Sequence, residues 1–147
     1  MSRALAREDA FKLIFEMKIS DISADDALDY LYKTVQKSNE MWAQDFVSAA
    51  SRKYIESVVK GVEEKEEELN KAIEAKLKDW TLQRISKVNL ALLQLAIYEI
   101  KFIEDIPYKV SANEAILLAK KYGGKESGGF INGVLGAVIN DLELEGN

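Results

Sequence analysis

A single proline, Pro107, interrupts this chain of 147 residues. Proline removes a backbone donor and clashes with the preceding helical turn, so its near absence leaves long stretches free to be helical. Apolar residues recur three and four apart, the spacing that gathers them on one helix face, and β-branched alternation is rare. The pattern predicts an all-α fold. A first helix covers roughly Arg3 to Lys18, with Ala6, Ala10, Leu13, Ile14 and Met17 as its apolar stripe. Ser23 is the expected N-cap of a second helix, with Asp26 at the reciprocal capping position. Leu28, Leu31, Tyr32 and Val35 face its core.

A third segment starts near Asn39 and keeps helical spacing through Phe46, Val47, Ala50, Tyr54, Ile55, Val58, Val59 and Val62, then Leu69, Ile73 and Leu77. It is one very long helix or two joined near Gly61. The run Glu63 to Glu68, broken only by Lys65, reads as an exposed face. Trp80-Thr81 marks a boundary, with Trp80 as a plug and Thr81 as a cap for a short turn through Ser86. Val88, Ala91, Leu92, Leu95, Ala96 and Ile100 define the most apolar helix, expected at the centre. Within it, Glu99 is expected to make a buried hydrogen bond or ion pair. A loop over Glu104 to Val110 follows, because Pro107 stops a helix. Ser111-Ala-Asn-Glu114 then reads as a capping box before Ala115, Leu118 and Ala119. Gly123 and Gly124 end that helix. The last helix starts near Ser127 and carries Phe130, Ile131, Val134, Leu135 and Val138. The acidic tail from about Glu143 is expected to fray.

Histidine and cysteine are both absent. Imidazole and thiolate metal sites, Ser–His or Cys nucleophile pairs and disulfides are thereby excluded. Neither a phosphate-binding P-loop nor a dinucleotide fingerprint occurs, and no carboxylate pair lies in a motif for acid–base work. The expectation is a protein without cofactor or metal that is not an enzyme. No run of about 20 apolar residues and no signal-peptide pattern is present, so a cytoplasmic protein without a membrane span is expected.

The net charge of −5 is unevenly placed. Residues 20–79 hold 9 basic and 14 acidic side chains, whereas residues 106–125 hold Lys109, Lys120, Lys121 and Lys125 against Glu114 alone. Such a chain could hold an anion at one end and a basic protein elsewhere, or simply carry a solvated charged surface. Phe130 stands beside Gly128, Gly129 and these lysines, where an aromatic ring can serve as a platform for a nucleic-acid base. Membership of the core stripe with Val134 and Val138 is its plainer alternative. Arg3 and Arg7, four apart, share one face of the first helix. A cation there opposes the helix dipole, and a bound phosphate would reverse the sign. On residues alone, surface pairing with Glu8 or other acids is the stronger reading of the two arginines.

The chain resembles the NusB family of transcription antitermination factors. The resemblance rests on Arg3-x-x-Ala6-Arg7-Glu8 with Ala10, and on Trp80-x-Leu82-x-Arg84-Ile85-x-x-Val88. It continues through Leu95-Ala96-Ile97-Tyr98-Glu99-Ile100, Ile106-Pro107-Tyr108-Lys109-Val110, Asn113-Glu114-Ala115, Leu118-Ala119-Lys120 and Phe130-Ile131-Asn132-Gly133-Val134-Leu135. Their order and spacing carry the specificity. The resemblance implies a bundle of about seven helices in one domain with two small subdomains, near residues 1–79 and 80–142. It implies binding of boxA RNA from ribosomal RNA leader transcripts, jointly with the ribosomal protein NusE. It also implies action on elongating RNA polymerase with NusA and NusG.

The resemblance turns Arg3 and Arg7 toward an RNA role and makes Phe130 a stacking residue, with Lys120, Lys121 and Lys125 as electrostatic neighbours. Asn113 and Glu114 are read as a cap and brace, and Asn132 and Gly133 as allowing close helix packing. Two positions depart from the family pattern: Ala4 and Gln94 stand where arginines are common. Both remove charge from the expected RNA side, which predicts weaker RNA binding alone and greater dependence on NusE. The alternatives are a helical protein-interaction module or an accessory in ribosomal RNA maturation without its own catalysis. The resemblance also leaves a homodimer open.

Overall fold

Ser2 sets the first helix. Its backbone is extended and its Oγ accepts the Leu5 N–H at 3.2 Å, satisfying one donor that a helix start leaves open. Helix α1 (Arg3–Ser20) ends at Asp21, whose φ of 52° is left-handed. This computed structural model describes residues 2–37, 49–78 and 81–145. Helix α2 (Ala24–Lys37) opens as expected at Ser23, whose Oγ accepts the Asp26 N–H at 3.1 Å. The Ala24 N–H donates to a Glu63 carboxylate oxygen at 2.7 Å. Helices α3 (Ala49–Glu64) and α4 (Glu66–Glu74) follow, then a 3-10 turn at Leu82–Arg84. The chain closes with α5 (Lys87–Phe102), α6 (Tyr108–Tyr122) and α7 (Ser127–Glu145). The fold is all-α, and no strand occurs among the described residues.

The helices form two compact units, Met1–Glu64 and Lys65–Asn147. In the first, α1 packs on α2 and α3, and α2 on α3. Ala6, Ala10, Ile14, Val58 and Val59 are fully buried there. In the second, α5 packs against α4, α6 and α7 at once. Every residue from Ala91 to Ile97 is buried, as a helix surrounded by neighbours requires. Because α4 packs on α5, it belongs to the second unit. The division at Glu64 therefore differs from the expected one near residue 79.

Two polar side chains inside α5 find partners. Gln94 Nε2 donates to Asn70 Oδ1 of α4 at 2.7 Å. Ser111 Oγ of α6 donates to Glu99 Oε1 at 2.8 Å, so Glu99 makes the buried hydrogen bond expected of it. Gln94 is completely buried. The expectation that it removes charge from an exposed RNA face is thus corrected, because this position lies in the interior.

Three further expectations change. The long third segment breaks at Lys65, whereas Gly61 is buried within α3. Helix α6 starts at Tyr108 with Pro107 as its N-cap residue, so Ser111 is helical and its hydroxyl serves Glu99 rather than a cap. Proline is well suited to this place, since its missing N–H would have no intrahelical partner. Asn113 is consequently an exposed residue inside a helix, not a cap. Asn132 and Gly133 are also exposed, and a Cβ at Gly133 would meet nothing within 4 Å, so no close packing depends on them. The segment start near Asn39, Phe46, Val47, the plug at Trp80 and the side chains of Val35 and Ala50 lie outside the described residues.

Candidate nucleic-acid interface

The residues singled out from the sequence fall into two groups, one in each unit. On α1, Arg3 and Arg7 both turn toward Tyr54 of α3. The Arg3 guanidinium carbon lies 4.3 Å from the ring centroid and that of Arg7 lies 6.0 Å away. Guanidinium over an aromatic face is electrostatically favourable within about 6 Å. Arg3 is exposed, whereas Arg7 is only 3% exposed. The one helix face therefore divides into an accessible cation and a buried one. No acidic residue stands in the first turn of α1.

The second group forms where α6 ends and α7 begins. Gly123 closes α6, and its successor Gly124 takes a left-handed φ of +89°. A side chain at Gly123 would overlap Ser127 Oγ and lie 2.9 Å from the Ala119 carbonyl oxygen, so this turn requires glycine. The tight reversal brings Lys120 over the start of α7: a Cβ at Gly128 would touch Lys120 Cγ at 3.4 Å. Lys120, Lys121 and Lys125 are exposed. Lys120 and Lys121 occupy the last turn of α6, where cations also complement the helix dipole.

Phe130 is half-buried, unlike its stripe-mates Ile131, Val134, Leu135 and Val138, which form core. It lines a cavity of about 410 Å³ together with Arg84, Ile85, Ser86, Asn89, Gly123, Glu126 and Ser127. Ser86 caps α5, its Oγ accepting the Asn89 N–H at 3.1 Å. Ser127 Oγ in turn donates to Asn89 Oδ1, tying the start of α7 to the start of α5. No acidic residue stands in the first turn of either helix. An aromatic wall, an arginine, amide and hydroxyl groups at two helix starts and one carboxylate at Glu126 suit a flat, polar, anionic ligand.

Arg84 and Asn89 carry no site role in the sequence reading. Arg84 does stand within the Trp80-to-Val88 motif. Its nearness to Phe130 depends on folding α5 against α7, which no local pattern reports. Among the described residues, no three His, Cys, Asp or Glu side chains are placed to hold a metal ion. No described helix is long and apolar enough to cross a membrane.

Seven α-helices among the described residues, in two compact units, define a small all-α protein with an aromatic and polar cavity at the start of its last helix. The chain belongs to the NusB family, whose model matches residues 4–140. It is 43% identical over 144 residues to the transcription antitermination protein NusB of Clostridium botulinum strain Hall, covering 95% of this chain and 100% of that one. A structure of T. maritima NusB superposes with a TM-score of 0.73 at 31% identity, covering 94% of this chain and 90% of the other. A structure of the antitermination factors NusB and NusE in complex with double-stranded RNA matches with a TM-score of 0.78. Its identity is 22%, over 95% of this chain and 96% of that one, a likeness of fold.

Proposed function

We propose that this chain is a transcription antitermination factor. It binds boxA RNA of ribosomal RNA transcripts together with NusE and promotes processive transcription of ribosomal RNA operons. It acts as a binding protein and not as an enzyme. The observation that carries the reading is the half-buried Phe130 on a polar, partly cationic cavity, in a chain belonging to the NusB family. A base stacks on Phe130, while Asn89 and Ser127 stand within the same cavity to meet its edge. Lys120, Lys121 and Lys125 with Arg84 supply phosphate contacts, which add salt-dependent affinity with little sequence information. Arg3 adds a further phosphate contact in the first unit. Arg7, buried behind it on Tyr54, is a positioning residue for that face.

The chain joins elongating RNA polymerase with NusA and NusG in the cytoplasm, as the named relatives' role in transcription suggests. Titration of labelled boxA RNA into the Phe130→Ala chain tests the site. Binding weakened about tenfold or more, with unchanged helix content, supports it, because stacking one base contributes roughly 1–3 kcal/mol. Unchanged affinity points instead to a different RNA face or to a protein-interaction module. Size analysis of the chain with and without RNA reads the homodimer: loss of a dimer on RNA binding would mean that self-association covers the same face.

A further inference from the structure

Helix α1 presents a second face that the RNA reading leaves unused. Arg3 and Arg7 turn toward α3, whereas Asp9, Leu13 and Glu16 line a groove of about 550 Å³ against α2. Buried Leu13 and Ala27 and half-buried Leu31 give the groove an apolar lining, and exposed Tyr30 joins it. Asp9, Glu16 and Asp26 bring three carboxylates to the lining and Lys12 the one cation. Asp9 Oδ2 is buried and has no hydrogen-bond partner among the described residues. A buried carboxylate oxygen left unpaired is costly, and a donor arriving with a ligand would relieve that.

We propose that the α1–α2 groove is a docking site for a basic, amphipathic segment of a partner protein. An arginine or lysine of that segment reaches Asp9, and a neighbouring aliphatic side chain covers Leu13 and Leu31. Charge complementarity selects the occupant: the lining carries an excess of negative charge, which repels nucleic acid and attracts a cationic peptide. The size fits as well, since cavities of roughly 300–1,000 Å³ enclose drug-sized groups and this one has room for two adjacent side chains.

The test uses the full chain and a fluorescein-labelled helical peptide of twelve residues with leucine and arginine at helical spacing. A matched peptide carries citrulline, the neutral isostere, in place of each arginine. Binding at least tenfold tighter for the arginine peptide, weakened tenfold by Asp9→Asn and separately by Leu31→Asn, is the expected result. Amide chemical-shift changes should centre on α1 and α2. Asp9→Asn replaces a half-buried carboxylate by its neutral isostere, and an unchanged circular-dichroism spectrum separates loss of binding from unfolding. Equal affinity of the two peptides, an unchanged Asp9→Asn affinity, or shift changes centred on Lys120 to Phe130 would each overturn the proposal. So would a single-stranded RNA oligomer that moves the groove resonances of Leu13, Ala27, Tyr30 and Leu31, which lie apart from Arg3.

Discussion

At the residue scale, a few polar side chains in apolar surroundings decide most of what can be tested. Glu99 is fully buried and Ser111 donates to it at 2.8 Å. Ser111→Ala should therefore destabilise the chain by roughly 1–3 kcal/mol, read by urea unfolding, because it withdraws a hydrogen bond from a buried carboxylate. Asp9 makes a different prediction. Burial raises its carboxyl from 3.8 to about 6, with Lys12 opposing and Glu8 adding to the rise. The folded chain thus holds this proton more tightly than the unfolded one. The group favours folding most below pH 3.8, and that contribution is lost as the pH rises to about 6. Asp9→Asn should stabilise the chain at pH 7 by about 1 kcal/mol, a figure already reduced for solvent screening of a half-exposed group. The gain should vanish near pH 4, and thermal unfolding at the two pH values checks the sign.

At the element scale, α5 is the piece on which the second unit depends. Leu93 and Ile97 are fully buried, and truncation of either to alanine should cost about 2–5 kcal/mol in denaturant unfolding. This helix was legible in its sequence because an apolar stripe widened to the whole circumference has few other homes than an interior. The stripes of α1, α3 and α7 were legible for the same reason, as was the glycine stop after α6. The start of α6 was not. Ser111 and Glu114 have the spacing of a capping box, and only the fold shows Ser111 spent on Glu99, with Pro107 taking the N-terminal place. The break at Lys65 was equally hidden. Glutamate and lysine are good helix formers, and the weak helix former nearby, Gly61, sits inside α3. At the site, the half-exposure of Phe130 agrees with a residue whose neighbours in sequence are glycines and lysines. The cavity partners Arg84 and Asn89 come from a distant helix start, and spacing along the chain carries no trace of that meeting.

At the scale of the whole molecule, the charge asymmetry of the sequence acquires a physical division of labour. Net charge of −5 argues against indiscriminate nucleic-acid binding, and Lys120, Lys121 and Lys125 gather at the α6–α7 turn that leads into the half-buried Phe130. RNA affinity should therefore be strongly local. Neutralising Lys120, Lys121 and Lys125 together should lower the salt slope of binding by about 2, as roughly 0.7 per lost phosphate contact predicts for a single strand. The expected dependence on NusE rests on Ala4 alone. Gln94 lies inside the second unit, so of the two departures from the family pattern only the exposed Ala4 can weaken a surface. The most direct test is a titration of boxA RNA at fixed salt, with and without NusE, on the natural chain and on Phe130→Ala. Binding should be tighter with NusE present, and removing the ring should weaken it tenfold or more under both conditions. Equal affinity for all four combinations would contradict both expectations.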